Sequence, residues 1–199
     1  MTGRPQPALF QAPEWLAAEM PPGYQTRLLE IERLSADLHA MDRIGRVLWE
    51  TGEPLREAVG EVFRALRCEA DAAAGPPPGL IAAKLGESRR LLLLISGAEG
   101  PIQKTHEELA HAFQAVQFAA ADDRVVFVAN NDPAKRPADR PDPVLPDALG
   151  VLQRTGVDVV TTGTLFKLWR LSLEDPQKAR KALERLHAQD GGLFVMPPR

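Results

Sequence analysis

Acid–base and metal-ligating side chains crowd one stretch of this chain: Lys84, Glu87, Glu99, Lys104, His106, Glu107 and Glu108. Carboxylates in such a run are the ligand type a hard cation such as Mg²⁺ takes, and a lysine beside them can orient or activate an attacking water. The same residues also have a plain structural role. Glu107 and Glu108 open a predicted helix, where negative charge complements the positive end of the helix dipole, and Lys104 is a solvated side chain. His106 and His111 are five residues apart, so they do not share a helical face as paired ligands would. His39 and His187 have no acidic or cysteine companion at a ligand spacing. The single cysteine, Cys68, excludes an intramolecular disulfide and a cysteine-based zinc cluster. It follows Phe63 and Leu66 on an apolar face, the setting of a small buried hydrophobe. Glycine-rich phosphate loops of the Walker and dinucleotide-binding types and a Gly-x-Ser-x-Gly turn are all missing. Asn130-Asn131-Asp132 follows a strand and could face a ligand there, although ordinary turn chemistry accounts for it as well.

The elements that must carry these groups begin with a long helix. In residues 24–48, apolar side chains fall at Tyr24, Leu28, Ile31, Leu34, Leu38, Met41, Ile44 and Leu48. Steps of three and four make this the seam of an amphipathic, coiled-coil-like helix. Arg27, Glu30, Glu32, Arg33, Asp37 and Asp42 occupy the other face. Such a helix can pack on its own domain or pair across a dimer or partner interface through Ile31, Leu34, Leu38, Met41 and Leu48. Before it, residues 1–22 contain five prolines and are expected to form a flexible leader, in which Phe10, Trp15 and Leu16 could dock on another surface. Residues 51–54 break the long helix and start another, with Pro54 tolerated in its first turn and Leu55, Ala58, Val59, Val62, Phe63 and Leu66 on one face.

After the Gly-Pro-Pro-Pro-Gly run at 75–79, strand and helix signals alternate. Residues 80–85 are a weak strand, 86–88 a hairpin turn, and 90–96 a continuous apolar strand of the kind buried on both faces. Residues 104–118 are predicted helical with Leu109, Phe113 and Val116 inward. Residues 124–130 form a β-branched strand, 131–143 an exposed proline-rich loop, and 145–155 a helix. Residues 157–161 are a last strand, Thr162 caps a helix over 165–173, and Asp175 opens a terminal helix over 176–187. The order predicts an α/β sheet with helices on both faces, and three segments: leader 1–22, amphipathic helix 23–49 and α/β domain 50–199.

The order resembles the PD-(D/E)XK restriction-endonuclease-like superfamily, in its Mrr-like branch. Four segments carry the likeness: Glu-Thr-Gly-Glu-Pro-Leu at 50–55 with its helix, the strand and turn over 89–100, the strand at 125–131, and Val-Val-Thr-Thr-Gly-Thr-Leu-Phe at 159–166. The resemblance implies a mixed sheet flanked by helices. It also implies a metal site built from an acid on one arm of a hairpin and a carboxylate-x-lysine on the other. Carried onto this chain, those positions are Gly79, Leu94 and Ser96, so all three groups are absent. The expectation is a catalytically inactive nuclease fold with no metal and no cofactor. It would act as a dimeric scaffold or regulatory module, in DNA processing for example.

Two alternatives stay open. One is an active Mg²⁺-dependent nuclease with displaced ligands from Glu99, Glu107 or Glu108 and Lys104. The other is nucleic-acid binding without cleavage through Arg89, Arg90, Lys104, Lys135, Arg136 and Arg140. A net charge of −3 and 6% aromatics argue against high affinity for nucleic acid. The charge is uneven. Residues 1–75 carry 8 Lys/Arg against 12 Asp/Glu, whereas residues 163–199 carry 7 against 4. The tail's excess is expected to be a solvated helix face. No stretch of about 20 apolar residues suits a membrane span, and a cytoplasmic chain is the expectation.

Overall fold

The computed structural model describes residues 19–96 and 100–196. Most of the expected leader, with Phe10, Trp15 and Leu16, lies outside these residues, as does Glu99. The chain divides into two units, Met1–Met41 and Asp42–Arg199. In the first, the described residues from Tyr24 onward belong to helix α1 (Tyr24–Gly45), whose last turn enters the second unit. Along the α1 seam Ile31, Leu34, Leu38 and Met41 are all exposed.

The second unit is a mixed six-stranded sheet with helices on both faces. A 3₁₀ turn (Arg46–Leu48) and helix α2 (Gly52–Ala65) precede three antiparallel strands: β1 (Glu69–Ala72), β2 (Ile81–Lys84) and β3 (Arg90–Ile95). Helix α3 (Glu107–Phe118) leads to β4 (Asp123–Ala129), and helix α4 (Pro146–Arg154) to β5 (Asp158–Thr161). Helices α5 (Thr162–Glu174) and α6 (Pro176–Ala188) then lead to the short β6 (Gly192–Leu193). The strands lie side by side in chain order, and β3 through β6 are parallel.

Strand alternation explains the two layers. Leu91 and Leu93 join Val126, Val128 and Val160 against apolar residues of α2, α5 and α6. Leu92 and Leu94 join Val125, Phe127 and Val159 against α3 and α4. Register fits this, with Leu92 opposite Val125 and Leu94 opposite Phe127. The compact unit starts at Asp42, ahead of the boundary expected at residue 50. Ile44 and Val47 are buried in the first layer, and Leu48 packs against it. Leu48 therefore serves its own domain and is not on the exposed seam.

Other expectations change in detail. The hairpin is a three-stranded meander, because Glu-Ala-Asp-Ala at β1 is an edge strand with only Ala70 buried and shows little apolar signal. Helix α3 turns Leu109, Ala112 and Ala115 inward and leaves Phe113 exposed, since the small alanines allow close approach to the sheet. Thr161, not Thr162, caps α5 by accepting the Thr164 N–H at 3.1 Å. Asp175 opens α6 as expected, accepting the Lys178 N–H at 3.0 Å. Cys68 is buried, and burial pushes its thiol up to about 11 against the opposing charge of Arg180.

At the end of the sheet where β3 and β4 begin, Arg90 grips the buried Asp123 with two hydrogen bonds of 2.8 and 2.6 Å, and the Ala120 N–H adds a third. Burial drives the Asp123 carboxyl upward, but Arg90, the Ala120 amide and His187 outweigh it and hold it below the usual range. Asp158 opens β5 opposite Val126, is fully buried, and among the described residues accepts the Gly191 N–H and a Gln189 contact. Its second oxygen has no hydrogen-bond partner, and burial raises its pKa to about 7.

Two outcomes follow. Arg90→Ala leaves a buried carboxylate half-satisfied and is expected to cost about 2 kcal/mol in urea unfolding. Asp158 binds its proton more tightly folded than unfolded, so its contribution is full below the ordinary value of 3.8 and is lost as pH rises through about 7. Asp158→Asn should therefore melt progressively higher than wild type as pH climbs from 3.8 to about 7. A constant difference in melting temperature across that range would contradict the assignment.

Candidate functional site

Pro54 and the apolar stripe behind it seat the start of α2 against the sheet, next to the open end of the β2–β3 pair. Gly52, Glu53 and Arg56 from that helix line a cleft of about 320 Å³. Pro78 and Gly79, just before β2, form another wall, and Leu94, Ile95 and Ser96 at the end of β3 form the floor. Glu107, Glu108 and His111 from the first two turns of α3 close it. Pairing of Ile81 with Leu93 brings the approach to β2 alongside the end of β3. The three positions singled out in the sequence, Gly79, Leu94 and Ser96, thus share one cleft.

Gly79 has φ +83°, a conformation that a side chain strains, and the Arg56 guanidinium occupies the space a Cβ would need. Arg56 is ion-paired with Glu53, and its buried Nε has no hydrogen-bond partner. His111 lies 3.5 Å from Glu107 one turn away on α3. Leu94 and Ser96 are both buried, Leu94 among Leu80, Phe127 and Leu109 of the second core layer. Among the described residues no three His, Cys, Asp or Glu side chains are grouped so as to hold a metal ion. Lys104 is exposed and does not line the cleft. Lys84 is tied to Glu69 at 2.6 Å, and Glu87 sits in the β2–β3 turn at the far end of these strands.

The candidate phosphate-binding cations do not form one surface. Arg89 and Arg90 lie at the β2–β3 turn, whereas Lys135, Arg136 and Arg140 follow β4 at its opposite end. Arg90 is engaged with Asp123, and Lys135 lies 3.4 Å from Asp132. Arg140 is a structural tie. It donates to the Lys135 carbonyl at 3.0 Å, to Asn130 Oδ1 at 2.7 Å, to Thr162 Oγ1 at 3.2 Å and to the Leu48 carbonyl. Burial lowers its pKa, opposed by the charge of Asp132. Asn130 also donates to the Glu50 carbonyl at 2.7 Å and accepts from Thr162 at 2.8 Å, while Asn131 donates to the Pro141 carbonyl at 2.8 Å. These buried amides tie the ends of β4 and β5 to neighbouring loops through internal partners. Arg89, Lys104 and Arg136 remain exposed.

Sequence reasoning passed over a second concavity. A groove of about 970 Å³ runs between α5 and α6, with Lys167, Arg170, Lys178, Lys181 and Arg185 on its walls. The signal was present in the spacing. Residues 167, 170, 171 and 174 on one helix, and 178, 181, 182 and 185 on the next, each follow the i, i+3, i+4, i+7 pattern of a single face.

The chain matches no protein-family model, no curated protein and no solved structure. Arg140→Ala is expected to lower unfolding free energy by about 2 kcal/mol, because it leaves the Leu48 carbonyl without its donor and removes one of the two donors to Asn130 Oδ1. Arg136→Ala and Lys104→Ala should stay within ~0.5 kcal/mol of wild type in the same urea titration.

Proposed function

We propose that this chain is a catalytically inactive protein of the restriction-endonuclease-like type, acting as a dimeric interaction, scaffold or regulatory module. One observation carries the reading. Gly79, Leu94 and Ser96 meet in a single cleft at the end of the β2–β3 pair, and none of them offers a carboxylate or an amine. The order helix, three-strand antiparallel meander, helix, parallel strand supports the same assignment. Without oxygen ligands on the strands, a hard cation has nothing there to replace its water shell. The leucine at 94 contributes to the core instead. The exposed seam at Ile31, Leu34, Leu38 and Met41 supplies the surface for dimerisation or for a protein partner, because water-exposed apolar rows of this length mark contact sites.

A second reading has a specific observation behind it. Glu53, Glu107 and Glu108 line the same cleft, which brings displaced carboxylates near the place of the absent ones, though not close enough together to hold a metal ion as they stand. Lys104 does not join them, and the cleft's cation is Arg56, already paired with Glu53. Binding of nucleic acid without cleavage draws less support, since Arg90 and Arg140 are committed to internal partners.

Calorimetric titration with Mn²⁺, beside a light-scattering mass and a cleavage assay on duplex and single-stranded DNA, tests the proposal. The expected result is no saturable heat, no cleavage and a dimeric mass. Micromolar Mn²⁺ binding that disappears in Glu107→Gln or Glu108→Gln would overturn inactivity in favour of the displaced site.

A further inference from the structure

The groove between α5 and α6 and the seam of α1 have complementary chemistry. Five cationic side chains and two acidic ones, Glu174 and Asp175, line the groove, in a chain whose overall charge is −3. Lys178 lies 3.5 Å from Asp175, while Lys167, Arg170, Lys181 and Arg185 make no ion pair among the described residues. The floor between these cations is apolar, built from Leu171, Ala182 and Met196. Phosphate recognition uses cations and hydrogen-bond donors and has no need of such a floor, and stacking of bases needs aromatic rings, which the groove lacks. An apolar strip bordered by cations fits an amphipathic helix with acidic flanks.

Helix α1 has that character. Ile31, Leu34, Leu38 and Met41 are 44%, 48%, 60% and 48% exposed. Over residues 19–41 four carboxylates stand against two arginines, a balance of −2. Glu30, Arg33 and Asp37 border the seam on one side, each a single position before Ile31, Leu34 and Leu38, and Asp37 lies 3.6 Å from Arg33, a surface pair that the richer cationic wall of the groove can replace. The seven-residue separation of Glu30 and Asp37, about 10 Å along a helix, equals that of Lys178 and Arg185 on α6.

We propose that the occupant of this groove is helix α1 of a second copy of the chain, laid seam-down on Leu171, Ala182 and Met196. Its carboxylates then face Arg170, Lys181 and Arg185. Reciprocal exchange gives a closed two-fold dimer in which each copy donates one helix and receives one. The inference rests on the dimeric reading above and specifies its contact as helix-in-groove, in place of helix against helix.

Light scattering over a dilution series of the 199-residue chain tests it with charge-reversed surface variants. Wild type is expected to be dimeric. Arg170→Glu with Lys181→Glu should weaken dimerisation at least ~10-fold, and Glu30→Lys with Asp37→Lys should do the same. Combining all four substitutions in one chain should restore the dimer, an outcome that loss of folding cannot produce. A dimer unaffected by the groove substitutions would overturn this inference alone and leave seam-to-seam pairing standing. A wild-type monomer would remove both the dimer and the groove contact. A labelled duplex oligonucleotide that binds wild type and not Arg170→Glu/Lys181→Glu, with no difference in mass between the two, would assign the groove to nucleic acid and overturn the proposal.

Discussion

Between Leu91 and Leu94 every side chain of β3 is withdrawn from water, the odd-numbered ones into the layer under α2, α5 and α6 and the even-numbered ones into the layer under α3 and α4. A strand covered on both faces cannot slip register by one residue without carrying its whole side-chain set into the wrong layer. That constraint places β4 beside it, with Leu92 against Val125 and Leu94 against Phe127, and orders β5 in turn. Each fully buried leucine of this kind contributes about 2 kcal/mol by removal from water. Position 94 is therefore occupied by core packing at the place where the resemblance would have a charged group.

The two ends of the parallel strands are closed by different means. Where the parallel strands begin, charge is managed inside the protein: Arg90 holds the Asp123 carboxyl below its usual range at the start of β4, and burial pushes Asp158 toward its neutral form at the start of β5. Where β4 and β5 end, Asn130, Asn131, Arg140 and Thr162 satisfy one another and the carbonyls of Leu48, Glu50 and Pro141. The region after parallel strands is where α/β folds ordinarily place ligands. Here the Arg140 ties fill it across two strands, and the cleft at the end of β3 is the portion left open. A half-buried guanidinium with several acceptors is held in place, because losing the bond to a buried acceptor leaves a costly unpaired group.

The outward surfaces are simpler in chemistry. A helix with an apolar row and net acidic borders, and a groove with an apolar floor and mainly basic walls, each expose a kind of surface that water does not favour leaving bare. Charges at the rims of such surfaces set register and exclude wrong partners more than they add affinity. In the proposed dimer these two surfaces would cover one another, while Leu94 at the end of β3 contributes to the core.

The sequence by itself determined whatever depends on local pattern. The continuous apolar run of β3, the β-branched run of β4, the apolar faces of α2 and α1, the Asp175 cap and the lack of any carboxylate-x-lysine in residues 91–96 are all legible because neighbours in the chain carry the signal. Only the tertiary structure decided that polar Glu-Ala-Asp-Ala is a strand, since an edge strand is defined by the strand it pairs with. The same holds for Arg90, whose partner is 33 residues away, and for Arg140, whose acceptor at Leu48 is 92 residues away. A lone arginine looks like a solvated cation until the fold brings acceptors to it. The basic groove was half legible, one face on each of two helices, but a concave surface exists only once both faces are packed side by side. Local periodicity sets which face of an element is apolar, and long-range packing sets what that face and its charged neighbours meet.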